Sequence, residues 1–380
     1  MKILIISSAS MQRAWQEKFL NISNYDEFEI IMLLPKYWVE NYKRVYPYLD
    51  HKSNIKYVFG KSVWKGYGSR YFFINKLYNV LVKIKPDIIH LEQEPWSLVA
   101  FQIVLFRNIF APKCKIIFRT SRTFDIQLKF KFFLKYIEKY VYRNSNFAVP
   151  LNEKASLFLR RRGYYGDMQI LPNGVNVHLF KKKDVVELRK ELKLDGFFTI
   201  GYCGRFIKEK GIHLIIKTIR SLNIDCRLLC IGNGPYKAQL IDLIEKNDLH
   251  SKVIMLDTVP MEKLPLYISC MDVFVLASYK VKKWEEFFGR VLIEAMSCTV
   301  PVIGSNSGGI SEVIGDSGLI FPEKDELKLA NCLLHMHKSK KNRMNIAEMG
   351  RKRVVEKYSW DVISEQTMGI YKQLMGVSID

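Results

Sequence analysis

Short, nearly continuous apolar runs recur along the chain, and most are followed by a segment of helical period. In the first half the runs are KILIISS (2–8), FEIIMLLP (28–35), NIKYVFG (54–60), PDIIHLE (86–92), CKIIFRT (114–120) and NFAVPLN (146–152). Amphipathic stretches such as FFINKLYNVLVKI (72–84) and LKYIEKYVYRN (134–144) lie between them. Apolar runs without alternation, bounded by turn residues, mark strands buried on both faces. Strands alternating with helices predict a parallel sheet flanked by helices.

The alternation pauses over LPNGVNVHLFKKKDVVELRKELKLDG (171–196), which combines turn residues, a lysine cluster and a polar helix, and then resumes. FFTIGYCGR, CRLLCIGNGP, KVIMLDTV, VFVLAS and VPVIGSN read as strands, IHLIIKTIRSL and KAQLIDLIEKNDL as helices, and SWDVISEQTMGIYKQLM as the closing helix. The expected fold class is α/β, with two doubly wound halves and no internal repeat. The boundary falls in the linker: residues 1–185 with about 359–380 in one domain, 186–358 in the other. Such sheets bind ligands beyond the carboxyl ends of their strands, and domain interfaces favour ligand sites.

Length agrees with two domains, since 380 residues exceed one ordinary core. The seven cysteines are scattered without zinc-site or thioredoxin spacing and read as reduced core thiols, as in a cytosolic protein. No run approaches the roughly 18 apolar residues of a membrane span, and MKILIISSAS is too short for a signal core. The expectation is a cytoplasmic protein, at most attached to a membrane surface. Net charge is +21, of which about +15 lies in residues 1–175. Solvated lysines, an anionic membrane surface, a phosphorylated substrate or nucleic acid would each account for it. No nucleic-acid-binding motif or base-stacking stripe is present, so no nucleic-acid partner is expected.

Four glycine-bearing stretches carry the candidate chemistry. GYCGRFIKEKGI places Gly204, Arg205 and Lys210 after a strand. Glycine lets backbone approach a ligand, Arg offers a planar fork for phosphate oxygens, and Lys adds a point charge near a helix start. Taken alone it is also a tight turn with solvated cations. CIGNGP places Gly232 and Gly234 in a turn that by itself reads as structural. In KKWEEFFGRVLIEAMSC, Gly289 falls near a helix start, where free amides and the helix dipole attract anions such as a diphosphate. Glu294 then lies in the second turn and Glu286 on the loop before it, both able to accept from sugar or ribose hydroxyls. The alternative is a solvated Glu286 and an ordinary helical Glu294; Glu285 reads as a bystander. SNSGGISEVIGDSGLIF adds Gly308 and Gly309, a pair that permits close backbone approach to a ligand.

As an ordered set, NGV, GRF…EKG, GNGP, EEFFGRVLIEA, PVIGSNSGGISEVI and GLIF resemble glycosyltransferase family 4. The match covers about residues 170–325; the tail resembles the family's last helices, and the first half matches more loosely. The resemblance implies a GT-B architecture of two facing Rossmann-like domains with a C-terminal helix crossing back to the first. It implies a retaining enzyme that transfers a hexose-type sugar from a UDP- or GDP-sugar to an acceptor hydroxyl. The acceptor would be a lipid-linked or polysaccharide precursor in cell-surface glycan synthesis. By position, Arg205 and Lys210 match the cations on the donor diphosphate. Glu286 matches the glutamate meeting the transferred sugar, and Glu294 the one meeting the ribose. Phe288 and Gly289 match the loop whose backbone approaches sugar and phosphate, with Gly204 and Gly234 as further donor-side residues. No Asp-x-Asp motif is present, so no metal or other cofactor is expected.

The first half departs from the family pattern. The loop after the first strand reads SSASMQRAW in place of a glycine-rich turn, leaving Ser7, Ser8 and Ser10 as candidate donor-side hydroxyls. FRTSRTFD stands where many members have a histidine, with Arg119, Ser121 and Arg122. Arg122 is the candidate for an anionic acceptor, and Glu94 in HLEQEPW either contacts an acceptor or stabilises a loop. LKFKFFLKYIEKYVYR (128–143) mixes cations and aromatics as interfacial helices do, which would place the basic half against an anionic membrane. A sugar-nucleotide epimerase of the same fold, a pyridoxal-phosphate phosphorylase and a basic nucleic-acid-binding protein are the competing readings.

Overall fold

The computed structural model describes residues 1–40, 43–125 and 131–377. The chain divides into two units, Met1–Pro172 with Trp360–Asp380, and Asn173–Ser359. Among the described residues of the first unit, one parallel sheet is built from β1 (Lys2–Ile6), β2 (Glu29–Pro35), β3 (Lys56–Gly60), β4 (Ile88–Leu91), β5 (Lys115–Thr120), β6 (Phe147–Pro150) and β7 (Asp167–Met168). Their order is β7-β6-β5-β4-β1-β2-β3. Around it lie α1 (Glu17–Ile22), α2 (Leu98–Phe110), α3 (Lys131–Arg143) and α4 (Glu153–Arg161). The apolar runs became strands because both faces are covered: Ile3, Leu4, Ile5 and Ile6 of β1 have no exposed surface.

The second unit carries β8 (Phe198–Cys203), β9 (Cys226–Ile231), β10 (Val253–Leu256), β11 (Val273–Leu276), β12 (Val302–Ser305) and β13 (Leu319–Phe321), all parallel, in the order β10-β9-β8-β11-β12-β13. This is the doubly wound dinucleotide-binding order, whose switch point lies between the first and fourth strands, here β8 and β11. Its helices include α5 (Ile212–Ser221), α6 (Lys237–Lys246), α7 (Arg290–Ser297), α8 (Ile310–Ile314), α9 (Glu326–Lys338) and α10 (Lys340–Lys357). The closing helix α11 (Trp360–Met375) returns to the first unit and packs on α1. There the Tyr371 hydroxyl meets His90 Nδ1 at 2.7 Å, and Ser364 Oγ donates to the Lys18 carbonyl at 3.0 Å.

Two expectations need correction. The unit boundary lies at Pro172/Asn173, before the 185/186 position read from the linker. Residues 173–185 are tied to the second unit: Val175 N donates to the Tyr358 carbonyl at 2.8 Å, and Arg351 donates to the carbonyls of Val177 and Phe180. The stretch FFINKLYNVLVKI is helical only over 77–84, while Phe72–Phe73 pairs antiparallel with Ser62–Val63. The interfacial stretch 128–143 begins outside the described residues; from Lys131 it is the helix α3, with Phe133 and Tyr136 exposed. All seven cysteines are free, six of them buried. Among the described residues no helix is long and apolar enough to cross a membrane.

Candidate functional site

The loops leaving β8 and β11 flank the switch point of the second sheet and bring two predicted residues together. Lys210 closes a short 3-10 turn, Lys208–Lys210, after β8, and Gly211 continues the loop with φ +71°. A side chain at Gly211 would place its Cβ 2.0 Å from the Ala277 carbonyl, so glycine lets the β8 loop lie against the end of β11. Glu286, on the loop after β11, accepts from Lys210 Nζ at 2.5 Å and from Ser278 Oγ at 3.1 Å. Lys210 also lies 5.7 Å from the centre of the Trp284 ring. The pair keeps 17% and 12% side-chain exposure, enough to meet a ligand while sparing most of the desolvation of a fully buried pair. Glu286 is therefore an anchored carboxylate, not a solvated one.

Gly308 fixes that loop. Its φ is +55°, and an added Cβ would sit 1.8 Å from the Glu286 carbonyl oxygen, to which Gly309 N donates at 2.8 Å. The double glycine was expected to admit a ligand; the close approach it permits is to the backbone of Glu286. Gly308→Ala is expected to cost about 2 kcal/mol through left-handed strain and displacement of the Glu286 loop. Denaturant unfolding checks this, and a stability unchanged from wild type would contradict it.

Helix α7 begins at Gly289, with φ +83° and no side-chain cap, so its first amides have no side-chain acceptor from the cap residue. Phe288 turns inward: it is 4% exposed and its ring packs edge-on against Tyr358 at 5.7 Å. Its ring is therefore not available to a ligand. Glu294 lies in the second turn, as expected, and is buried. Burial raises its pKa, while Arg290 opposes the rise through a bond from Nε to Oε1 of 2.9 Å. Arg290 was missed as a site residue, although its spacing of four from Glu294 was a readable signal. Glu285, read as a bystander, is buried and faces Lys280 Nζ at 3.4 Å.

Arg205 is exposed on the β8 loop. The glycines of CIGNGP brace that loop from the β9 side. A Cβ at Gly232 would meet the Gly204 carbonyl at 2.0 Å, and one at Gly234 the Phe206 carbonyl at 2.3 Å. Phe206 N and Tyr236 N complete the lacing, donating to the Asn233 carbonyl at 2.9 Å and the Phe206 carbonyl at 3.0 Å. Gly234 is thus required by packing against the loop that carries Arg205.

In the first unit the candidates are turned to structural work. Ser10 has no exposed surface and its hydroxyl donates to the Trp15 carbonyl at 3.3 Å, which removes it from any donor-facing role in this structure. Ser7 Oγ accepts from Ser10 N at 3.0 Å, and Ser8 Oγ accepts from Gln93 Nε2 at 3.0 Å. Glu94 accepts from Thr120 Oγ1, Ser121 N and Ser121 Oγ at 2.7, 2.8 and 2.8 Å, so it stabilises the loop after β5. Arg122 is 8% exposed and packs on Phe158. It donates to the Phe124 carbonyl at 3.0 Å and faces Glu138 at 3.4 Å, which leaves it buried and committed.

The sequence singles out His90, Glu92 and Arg119, but not Lys18 or the buried charged cluster the four form at the carboxyl end of β4. Glu92 contacts the Lys18 ammonium, Arg119 Nη1 at 3.5 Å and His90 Nε2 at 3.2 Å. Burial would raise the Glu92 pKa, but Lys18 and Arg119 hold it well below the usual carboxylate range. Burial, reinforced by Lys18, pushes His90 down to about 4, so it is neutral at pH 7. The local sequence carried little signal, because Lys18 stands beside Phe19 among the polar neighbours Gln16, Glu17 and Asn21.

Two parallel Rossmann-like sheets, with a last helix that returns to the first, define the class: the fold is GT-B. Residues 184–353 match the family model described as "Glycosyl transferases group 1", which gives the second unit the character of such a domain. Over the whole chain the fold is shared with sucrose-phosphate synthase from Thermosynechococcus elongatus, at a TM-score of 0.76, 20% identity and 100% coverage of both chains. It is also shared with Anabaena HepE, a structure determined in complex with UDP, at a TM-score of 0.76 and 17% identity over 98% of this chain and 100% of that one. Among curated proteins, the N-acetyl-alpha-D-glucosaminyl L-malate synthase of Bacillus anthracis is 27% identical over 214 residues, 55% of this chain and 54% of its own. The chain spans about half the length of the curated relatives it matches.

Proposed function

We propose that the protein is a retaining glycosyltransferase of family 4 that moves a hexose-type sugar from a UDP- or GDP-sugar to an acceptor hydroxyl. The observation that carries this reading is the Lys210–Glu286 pair at the switch point of a dinucleotide-type sheet. The hard step is breaking the anomeric C–O bond while negative charge grows on the diphosphate. Lys210, held by Glu286, and the first amides of α7 are preset charges and dipoles that stabilise it with little reorganisation, and the exposed Arg205 adds a further cation. A protein-borne cationic set of this kind assigns no task to a metal. Glu286, already held by Lys210 and Ser278, accepts from sugar hydroxyls and orients the ring, while the acceptor attacks the face the diphosphate leaves.

Glu294 takes the ribose hydroxyls in this reading, with Arg290 opposing the effect of burial on its carboxylate. Glu294→Gln is expected to raise KM for the nucleotide sugar about tenfold and change kcat little, since it removes binding common to ground and transition states. Steady-state kinetics checks this; an unchanged KM contradicts the assignment. The first unit is read as the acceptor side. Its lipid-linked or glycan acceptor would be met at the cytoplasmic membrane face, where the exposed Phe133 and Tyr136 of α3 support peripheral attachment.

A further inference from the structure

The charge of the first unit is concentrated in one excursion. Residues 36–85 contain eleven lysines and arginines against two acids, Glu40 and Asp50. This segment leaves the carboxyl end of β2, returns through β3, and leaves again from its carboxyl end at Gly60, so both departures are on the ligand-binding edge of the sheet. Its antiparallel pairs, Trp38–Glu40 with Lys43–Val45 and Ser62–Val63 with Phe72–Phe73, were not expected from the sequence.

The excursion is anchored from below and wet above. Trp38, Tyr71 and Phe73 are 7%, 0% and 2% exposed and pack edge-on in series, with ring centres 5.1 and 5.8 Å apart. The two hairpins are joined where Gly66, at φ +96°, lies against Val39: a Cβ there would meet the Val39 carbonyl at 2.8 Å. The segment also reaches the loop after β1. A Cβ at Gly68 would lie 4.0 Å from Ser8 Oγ, and Ser8 is bonded to Gln93 on the loop after β4. The excursion therefore borders the switch point of the first sheet, between β1 and β4.

Its outer surface carries flat aromatic faces beside cations. Trp64 is 57% and Tyr67 60% exposed, and Arg70 lies 5.8 Å from the Tyr67 ring centre. Lys65 and Arg44 approach the Tyr37 ring at 3.9 and 4.8 Å, contacts that hold both cations upright without neutralising them. Among the described residues these three cations have no acidic partner within ion-pair distance. Sugar rings present C–H faces that stack on aromatic rings, and carboxylate or phosphate groups suit Arg and Lys donors. The aromatics are Trp and Tyr, which combine an apolar body with a polar tip. Their faces stack on sugar rings and their tips bond hydroxyls; the same rings also suit a membrane interface, and the vesicle arm of the test separates the two.

We infer that this aromatic and cationic excursion binds an anionic glycan, a chain of sugars bearing carboxylate or phosphate groups, and so selects the acceptor. The inference rests on the glycosyltransferase reading for the word acceptor, but its binding test does not. The full-length protein is titrated with oligogalacturonate as the carboxylated probe, maltohexaose as the neutral one, and phosphatidylglycerol vesicles. Oligogalacturonate is expected to bind at least about tenfold more tightly than maltohexaose, with affinity falling as salt rises. Tyr67→Ala and Trp64→Ala are each expected to weaken it about tenfold, and Arg44→Glu with Lys65→Glu to abolish it. Lys352→Glu with Lys357→Glu, exposed on the second unit, leaves it unchanged. The exposed Tyr67 keeps the test usable if the Trp64 variant misfolds. A wild type that does not bind oligogalacturonate, or a Tyr67→Ala variant that binds as wild type, overturns the inference. Vesicle binding lost in these same variants, without oligosaccharide binding, overturns it in favour of a membrane surface. Thermal stabilisation by UDP or by GDP, read in parallel on all variants, reports the second unit. Its absence throughout counts against the donor-site reading alone.

Discussion

Glu286→Ala is expected to lower turnover by roughly 10²–10³-fold while leaving nucleotide binding largely intact. Two losses combine in that figure. The carboxylate proposed to orient the sugar is gone, and Lys210 loses the partner that holds its ammonium at 2.5 Å. Because one contact serves both residues, their effects are not additive. Lys210→Ala is expected to cost a similar factor, and the double variant little more than the worse single one. Glu286→Gln, which keeps an acceptor for Ser278 and the sugar, falls between wild type and Glu286→Ala. Comparison of kcat and KM across wild type and the four variants checks this. Full additivity would mean that the pair does not act as a unit, and undiminished turnover in Glu286→Ala would remove Glu286 from the site.

The second large effect lies in the first unit. Lys18→Met is expected to destabilise it by about 3–5 kcal/mol, because it leaves the buried Glu92 carboxylate with an incomplete set of partners. Lys18 has 3% side-chain exposure, so methionine replaces its stem without restoring the charge. Adding Glu92→Gln to Lys18→Met is expected to recover part of the loss, since no uncompensated carboxylate remains. The same cluster makes the unit acid-sensitive. His90 is depressed from 6.5 to about 4 in the fold, so the unfolded chain takes up its proton first as pH falls. The stability from a neutral His90 is present above pH 6.5 and is lost between about 6.5 and 4. Glu92, also depressed, adds to the loss at lower pH. Denaturant unfolding across that range checks both statements; a loss below about 1 kcal/mol for Lys18→Met would show that Arg119 alone satisfies Glu92.

Much of the fold was legible because parallel strands buried on both faces are written as apolar runs, and KILIISS, FEIIMLLP and FFTIGYCGR all became central strands. What failed to show locally depends on partners far away in sequence. Phe72 and Phe73 fit a helical period, but they pair with Ser62 and Val63 in a hairpin, where Phe73 packs on Gly60 and Tyr71. Residues 173–185 look like a linker until Tyr358 and Arg351 bind their backbone. Within the candidate site, the sequence brought Lys210, Glu286, Gly289 and Glu294 into one neighbourhood. It could show that Gly308 must be glycine, but not that the approaching backbone belongs to Glu286. Residue type at a spacing reports a steric demand, and only packing says which neighbour makes it. Ser10, Glu94 and Arg122 carry the same lesson: each has the chemistry of a ligand contact, yet each spends it on Trp15, on Thr120 and Ser121, or on Phe124 and Glu138.

The central claim is that the second unit holds a nucleotide sugar across the loops after β8 and β11. Its most direct test is a panel of UDP-, GDP-, ADP- and dTDP-sugars, scored by thermal shift and by release of the nucleoside diphosphate. At least one nucleotide sugar is expected to stabilise the protein and to release its nucleoside diphosphate slowly, with release falling in Glu286→Ala while the shift persists. A panel in which no nucleotide sugar changes the melting temperature and none releases its diphosphate would contradict the account.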